Sequence, residues 1–91
     1  MLRDVIEDPN FSAEFDLFRN IYAQMDTLHA GLTFTLGSNP RIGTPIEGYP
    51  HPNIRLFITT PVEDTPSFQV LYRYTWNQVI LLAIDLFDTP S

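Results

Sequence analysis

The 91-residue sequence contains no cysteine and no lysine. Without thiols there is no disulfide framework, no thiolate nucleophile and no zinc site with thiolate ligands. Its five strongly basic side chains are all arginine and stand against eleven carboxylates, for a formal charge of −6. A chain of that charge approaches a polyanion against its own field, so direct nucleic-acid binding is disfavoured. No apolar run reaches the roughly 18 residues that a membrane helix needs. The opening MLRDVIEDPN also lacks the apolar stretch of a signal peptide, so a cytoplasmic address without membrane contact is expected. The length suits one domain, residues 1–91. Folding at this size hides only about 60 to 65% of the unfolded chain's surface, so aromatic rings must supply much of the core.

Along the chain, Val5 and Ile6 favour a short strand over Arg3 to Glu7, and Asp8-Pro9 ends it and opens a helix. Phe11, Phe15, Phe18, Tyr22 and Met25 then recur at spacings of 4, 3, 4 and 3, the stripe of an amphipathic helix, which Leu17 and Ile21 widen. Residues 26–39 are ambiguous, because Leu32-Thr-Phe-Thr-Leu36 alternates like a strand. A second helix with Leu28, Leu32 and Leu36 inward is the reading adopted, started by Asp26 and stopped by Gly37 and Asn39-Pro40. Four of the eight prolines and two of the four glycines crowd into residues 39–53, an irregular connection. Three strands follow: Ile54 to Thr60, Ser67 to Thr75 and Gln78 to Phe87, with a tight turn near Trp76-Asn77. The last, VILLAIDLF, is apolar on both faces and belongs inside a sheet. The sum is an α+β domain, an N-terminal strand and helical hairpin packed on a small, mainly antiparallel sheet, with the first strand at one edge.

These stretches resemble the RelE/ParE superfamily of toxins from type II toxin-antitoxin systems. The strand before DPNF, the hairpin ending in SNP, then RIGTPIEG, IRLF, SFQVLYRY and VILLAID carry the resemblance, which spans nearly the whole chain. It implies a RelE/ParE-like fold, a cognate antitoxin as partner, and action either on ribosome-bound mRNA or on DNA gyrase. Cleavage of RelE type needs cations around the scissile phosphate and a group that moves the 2′-hydroxyl proton. Arg55 stands where the family has a strand arginine, whereas Gln69 replaces the arginine that precedes V-L-Y. The loop lysines are absent, and the sequence closes on LFDTPS where RelE-like members have a basic tail with a catalytic tyrosine or histidine. Endoribonuclease activity is therefore not expected.

The candidate functional or partner-contact residues are Arg55, Arg73, Arg41, Gln69 and His51. If the strands pair in the family's manner, Arg55 and Arg73 share the face left open by the helices, with Arg73 standing in for the cation missing at Gln69. The bland alternative pairs each arginine with one of the eleven carboxylates. Arg41 lies in the Pro/Gly loop, and His51, between two prolines, is a proton carrier or a plain surface residue. His29 reads as structural or as a surface residue. No spaced histidine pair, nucleophile elbow or phosphate loop is present, and Glu63-Asp64 is a lone acidic pair, so no metal or cofactor is expected. Tyr72, Tyr74 and Trp76 are better explained by packing than by base stacking. A second reading, from the charge, is a noncatalytic acidic protein that binds a basic partner. Self-pairing through the edge strand into a homodimer is a further expectation.

Overall fold

Asp8-Pro9 separates the first strand from the first helix, as the sequence implies. The computed structural model describes residues 2–48, 50–51, 53–61 and 64–87, so Glu63 and the prolines at 52 and 90 lie outside it. Strand β1 is Asp4–Glu7 and helix α1 is Pro9–Arg19. The Asp8 carboxylate accepts the Asn10 N–H at 2.9 Å, and Pro9 fills the first helical position.

Helix α1 stops earlier than the apolar spacing suggests. The Asn20 N–H bonds to the Asp16 carbonyl at 3.3 Å, the chain turns, and helix α2 begins at Met25 and runs to Ser38. Phe11 and Phe15 are buried, Phe18 and Tyr22 pack edge-on against Phe68 at 4.9 and 5.8 Å between ring centroids, and Met25 is fully buried at the head of α2. The turn returns Tyr22 and Met25 to the same core, so the local periodicity carries no trace of the break. Leu17 and Ile21 do not widen the stripe; both are 67% exposed.

The helical reading of residues 26–39 holds, with Leu32 and Leu36 buried and Leu28 half-buried against them. Its caps differ from expectation. Gln24 occupies the N-cap without a side-chain bond, while Asp26 sits in the first turn and pairs with Arg19 at 3.1 Å, tying the end of one helix to the start of the next. Gly37 lies inside the helix, and Asn39 closes it through its N–H to the Thr35 carbonyl at 3.0 Å. Space is what Gly37 supplies: a Cβ there would lie 3.2 Å from the Arg3 carbonyl oxygen. The Arg3 N–H donates to the Gly37 carbonyl at 2.9 Å, which draws the chain before β1 onto the end of α2.

After α2 come a 3₁₀ turn (Pro40–Ile42) and strands β2 (Thr44–Pro45), β3 (Ile54–Ile58), β4 (Phe68–Tyr74) and β5 (Gln78–Leu86). The sheet order is β1-β5-β4-β3-β2, antiparallel apart from the parallel pair β1–β5. The first strand thus takes an edge and the doubly apolar β5 an interior place, both as expected. Leu71 pairs with Ala83 but Tyr72 with Leu81, so Leu82 is an extra residue and bulges β5. The pairing of β1 with β5 ends at Leu81, and beyond it α1 caps the opened edge. Asn10 Nδ2 donates to the Leu82 carbonyl and Glu14 accepts the Ile84 N–H, each at 3.3 Å.

One face of the sheet (Phe68, Val70, Tyr72, Val79, Leu81, Ile84) closes on Phe11, Phe15, Met25, Leu32 and Leu36 to form the core. Each fully buried large apolar side chain contributes about 1.5–3 kcal/mol. The other face lacks a helical cover among the described residues. Its cross-strand rows are Ile6, Ile80, Arg73 and Ile54; then Leu56, Leu71 and Ala83; then Ile58, Gln69 and Asp85. None of the described helices is long and apolar enough to cross a membrane.

Candidate functional site

The irregular connection expected over residues 39–53 is organised at its start by two side chains from the sheet. Tyr72 lies opposite Arg55 in the β3–β4 ladder. Its ring is completely buried, and its hydroxyl donates to the Pro40 carbonyl while accepting the Gly43 N–H at 3.0 Å. Arg55 Nη1 donates to the Gly43 carbonyl at 2.8 Å and the Arg41 carbonyl at 3.2 Å. The 3₁₀ turn is therefore clamped on both sides of its backbone. Gly43 leaves the room for it, because a Cβ there would sit 2.4 Å from the Tyr72 oxygen and 2.9 Å from the Leu56 carbonyl oxygen.

Burial raises the Tyr72 hydroxyl above the ordinary tyrosine value; the Gly43 N–H and the nearby Arg55 charge oppose that shift without cancelling it. The neutral phenol is the form that can both donate and accept here. Arg55 also lies over the Tyr74 ring, 5.9 Å from its centroid, and its Nε is buried without a hydrogen-bond partner among the described residues.

This register corrects the expected pairing of the two strand arginines. Arg55 shares the helix-side face with Tyr72 and Phe57, whereas Arg73 is exposed on the opposite face with Gln69 and Leu71. Strand alternation sends neighbouring positions to opposite faces, and Arg55 opposes residue 72, one residue away from Arg73. Arg73 does share the face of Gln69 but stands four residues along the strand, about 13 Å away, too far to replace a cation there. Gln69 instead borders a shallow depression with Leu71, Ala83, Asp85, Leu56 and Glu14, where the charged neighbours are acidic. Arg41 is exposed in the 3₁₀ turn, with its carbonyl held by Arg55. His51 is exposed and its carbonyl accepts the Ile54 N–H at 3.2 Å. Of the candidates, the fold brings Arg55 onto the backbone of Arg41 and puts Arg73 on the opposite face of the sheet.

Two features escaped the sequence reading. His29 Nε2 lies 2.9 Å from Glu7, whose other oxygen accepts the Ser12 hydroxyl at 2.9 Å, and the His29 ring meets Phe15 edge-on. That joins β1 to both helices and is a structural arrangement. The second is an apolar groove of about 420 Å³ between α2 and β3, floored by Leu28, Leu32 and Phe57 and bordered by Gly31, Thr59 and Thr60. Sequence spacing placed Leu28 and Leu32 on an inner face, but only the tertiary offset between helix and strand leaves a channel beside them. Tyr72, Tyr74 and Trp76 form no common stripe, since Tyr72 is buried and Trp76 is 84% exposed in the turn after β4.

Chemically, the clamp is poor in catalytic capacity. The Arg55 Nη1 donor is directed at backbone carbonyls, and the Tyr72 hydroxyl beside it is buried and doubly hydrogen-bonded. Among the described residues, no three histidine or carboxylate side chains cluster to hold a metal ion. What the surface does offer is apolar area: the groove, the open sheet face, and exposed Leu17, Ile21, Phe34 and Ile58.

Comparison with known proteins gives the fold a counterpart. A chain of the chromosomal ParDE TA system from P. aeruginosa is similar over 96% of this chain and 98% of that chain, with a TM-score of 0.63 and 12% sequence identity. This is the RelE/ParE-like fold that the sequence motifs implied. No family model matches the sequence, and no curated protein matches it.

Proposed function

We propose that this chain is the toxin-fold component of a toxin-antitoxin pair, held by a cognate antitoxin and acting by occupying a macromolecular target, gyrase or the translation machinery, rather than by cutting RNA. The observation that carries the reading is the likeness of fold, end to end, to a chain of a TA system. The geometry argues against cleavage. Arg55 is turned into the fold, Gln69 lies among acidic groups, and Arg73 is exposed on the opposite face from Arg55. A blocking toxin needs contact surface rather than a general base, and apolar surface is what the chain presents.

Growth of a bacterial host after induced expression tests this, read together with mRNA integrity and plasmid supercoiling. Arrest with intact mRNA is the expected result, and altered supercoiling would name gyrase as the target. Arrest with fragmented mRNA removes the noncatalytic mechanism. Soluble, folded protein without any arrest removes the toxin reading. The net charge of −6 then favours the second reading, an acidic protein that covers a basic partner surface.

A further inference from the structure

The outer edge of β3 is half used. β2 pairs with Arg55 and Leu56 and stops there, so Phe57, Ile58 and the two threonines that follow have a neighbour on the β4 side only, among the described residues. Thr59 donates its N–H to the Phe68 carbonyl at 2.9 Å, which directs odd-numbered positions of this strand toward β4. Alternation in an antiparallel ladder then turns the N–H and C=O groups of Ile58 and Thr60 outward. This bare stretch of edge borders the apolar groove, whose floor is Leu28, Leu32 and Phe57. Unpaired strand edge beside an apolar channel is the combination that an added strand satisfies.

Gly31 points the same way. It sits in the interior of α2 on the groove wall, where glycine weakens a helix relative to alanine, and an added Cβ would meet nothing within 4 Å. Gly37 and Gly43 are each explained by a close contact within the chain, whereas Gly31 is not.

We infer that the groove between α2 and the free edge of β3 receives an extended segment of a partner protein. The segment continues the line of β2 alongside Phe57 to Thr60, with apolar side chains at alternate positions and Lys or Arg at its flanks. The residue opposite Phe57 enters the groove over Leu28 and Gly31, and the residue opposite Ile58 extends the open-face row of Ile58, Gln69 and Asp85, where Ile58 is 43% exposed. A helix would satisfy its own main chain and leave Ile58 and Thr60 unpaired. Charge selects the partner. Among the described residues the groove lining carries no ionised group, the chain has a net charge of −6, and Arg3, Arg19 and Arg55 are engaged within the chain. A second copy would bring the same −6, whereas a basic segment is attracted. The free edge of β1 is the poorer template, since it is flanked by Asp4 and Glu7. This inference rests on the toxin reading only for calling the partner an antitoxin.

The probe is a displayed library of random peptides about a dozen residues long, selected against the intact chain. Enriched peptides are expected to alternate apolar residues between Lys or Arg, and their synthetic forms to bind Gly31→Leu and Ile58→Pro about tenfold or more weakly than wild type. Gly31→Leu fills the groove from a position with open space, and Ile58→Pro removes an outward N–H while leaving the β4 ladder intact. Circular dichroism melts accompany both, and if Ile58→Pro fails to fold, Gly31→Leu decides alone. No enrichment, acidic peptides, helical spacing, or affinity unchanged by Gly31→Leu overturns the inference. So does a self-association in sedimentation that Gly31→Leu abolishes, which would give the groove to a second copy. Growth arrest is scored separately: a chain that leaves growth intact yet selects such peptides loses the toxin reading and keeps this surface.

Discussion

Tyr72 and Arg55 stand directly across the β4–β3 ladder from each other, and both bind the backbone of Gly43, one at its N–H and the other at its carbonyl. The pair converts a Pro/Gly-rich stretch into a fixed turn. Arg55, which motif reasoning assigned to a functional surface, has a structural task that any functional test has to separate.

Tyr72→Phe keeps the buried ring and deletes both hydroxyl bonds, leaving the Gly43 N–H and the Pro40 carbonyl short of partners. The expected loss is about 1–3 kcal/mol in a denaturant melt, with faster amide exchange confined to the turn. The same substitution alters the alkaline limb of stability. Because burial holds Tyr72 above its free value of 10.0, a window exists in which the unfolded chain has released the proton and the folded chain retains it. There the unfolded state binds fewer protons, so stability falls as pH rises; below pH 10 this contribution is fully present. Melts of wild type and Tyr72→Phe across that range should converge as pH increases.

Gly43→Ala places a methyl group on the Tyr72 oxygen and the Leu56 carbonyl. Neither is free to retreat, since one belongs to a buried ring and the other to the strand backbone. A cost of about 2 kcal/mol or more is expected, comparable to other overpacked positions. A melt that matches wild type would refute the clamp geometry.

Arg55→Ala and Arg73→Ala should differ in stability before they differ in function. Loss of the Arg55 bonds to Arg41 and Gly43 is expected to cost about 1.5 kcal/mol, the low end for a charged donor in a partly exposed place. Arg73 is exposed, and its removal should stay within about 0.5 kcal/mol. Paired melts decide this, and only an effect of Arg73→Ala on growth arrest can be read without correction for folding.

Gly31→Ala should stabilise the isolated chain by about 0.5–1 kcal/mol, because the helix gains and no atom is displaced. A destabilisation would show that something within the chain occupies the groove.

Much of the architecture was legible in linear order. The Asp-Pro boundary, the leucine repeat at positions 28, 32 and 36, and the doubly apolar final strand each state a local preference that packing agrees with. Misreadings arose where two local signals coincide. The stripe from Phe11 to Met25 continues in phase through a turn, and Gly37 looks like a stop although its role is to admit the Arg3 backbone. Arg55 and Arg73 were both identifiable as strand arginines, but whether they meet depends on a one-residue offset between strands, and that is set by the register of the whole ladder.

Composition and periodicity by themselves determined the class of this protein: an acidic, thiol-free α+β domain with a helical hairpin over a small sheet. They could do so because side-chain burial repeats every 2 or 3.6 residues and charge is a simple sum. The tertiary structure alone decided that Arg55 faces inward, that Tyr72 and Gly43 secure the turn, and that a groove remains open beside β3. Each of these depends on distances between segments remote in sequence, and local patterns contain no information about how far one segment lies from another.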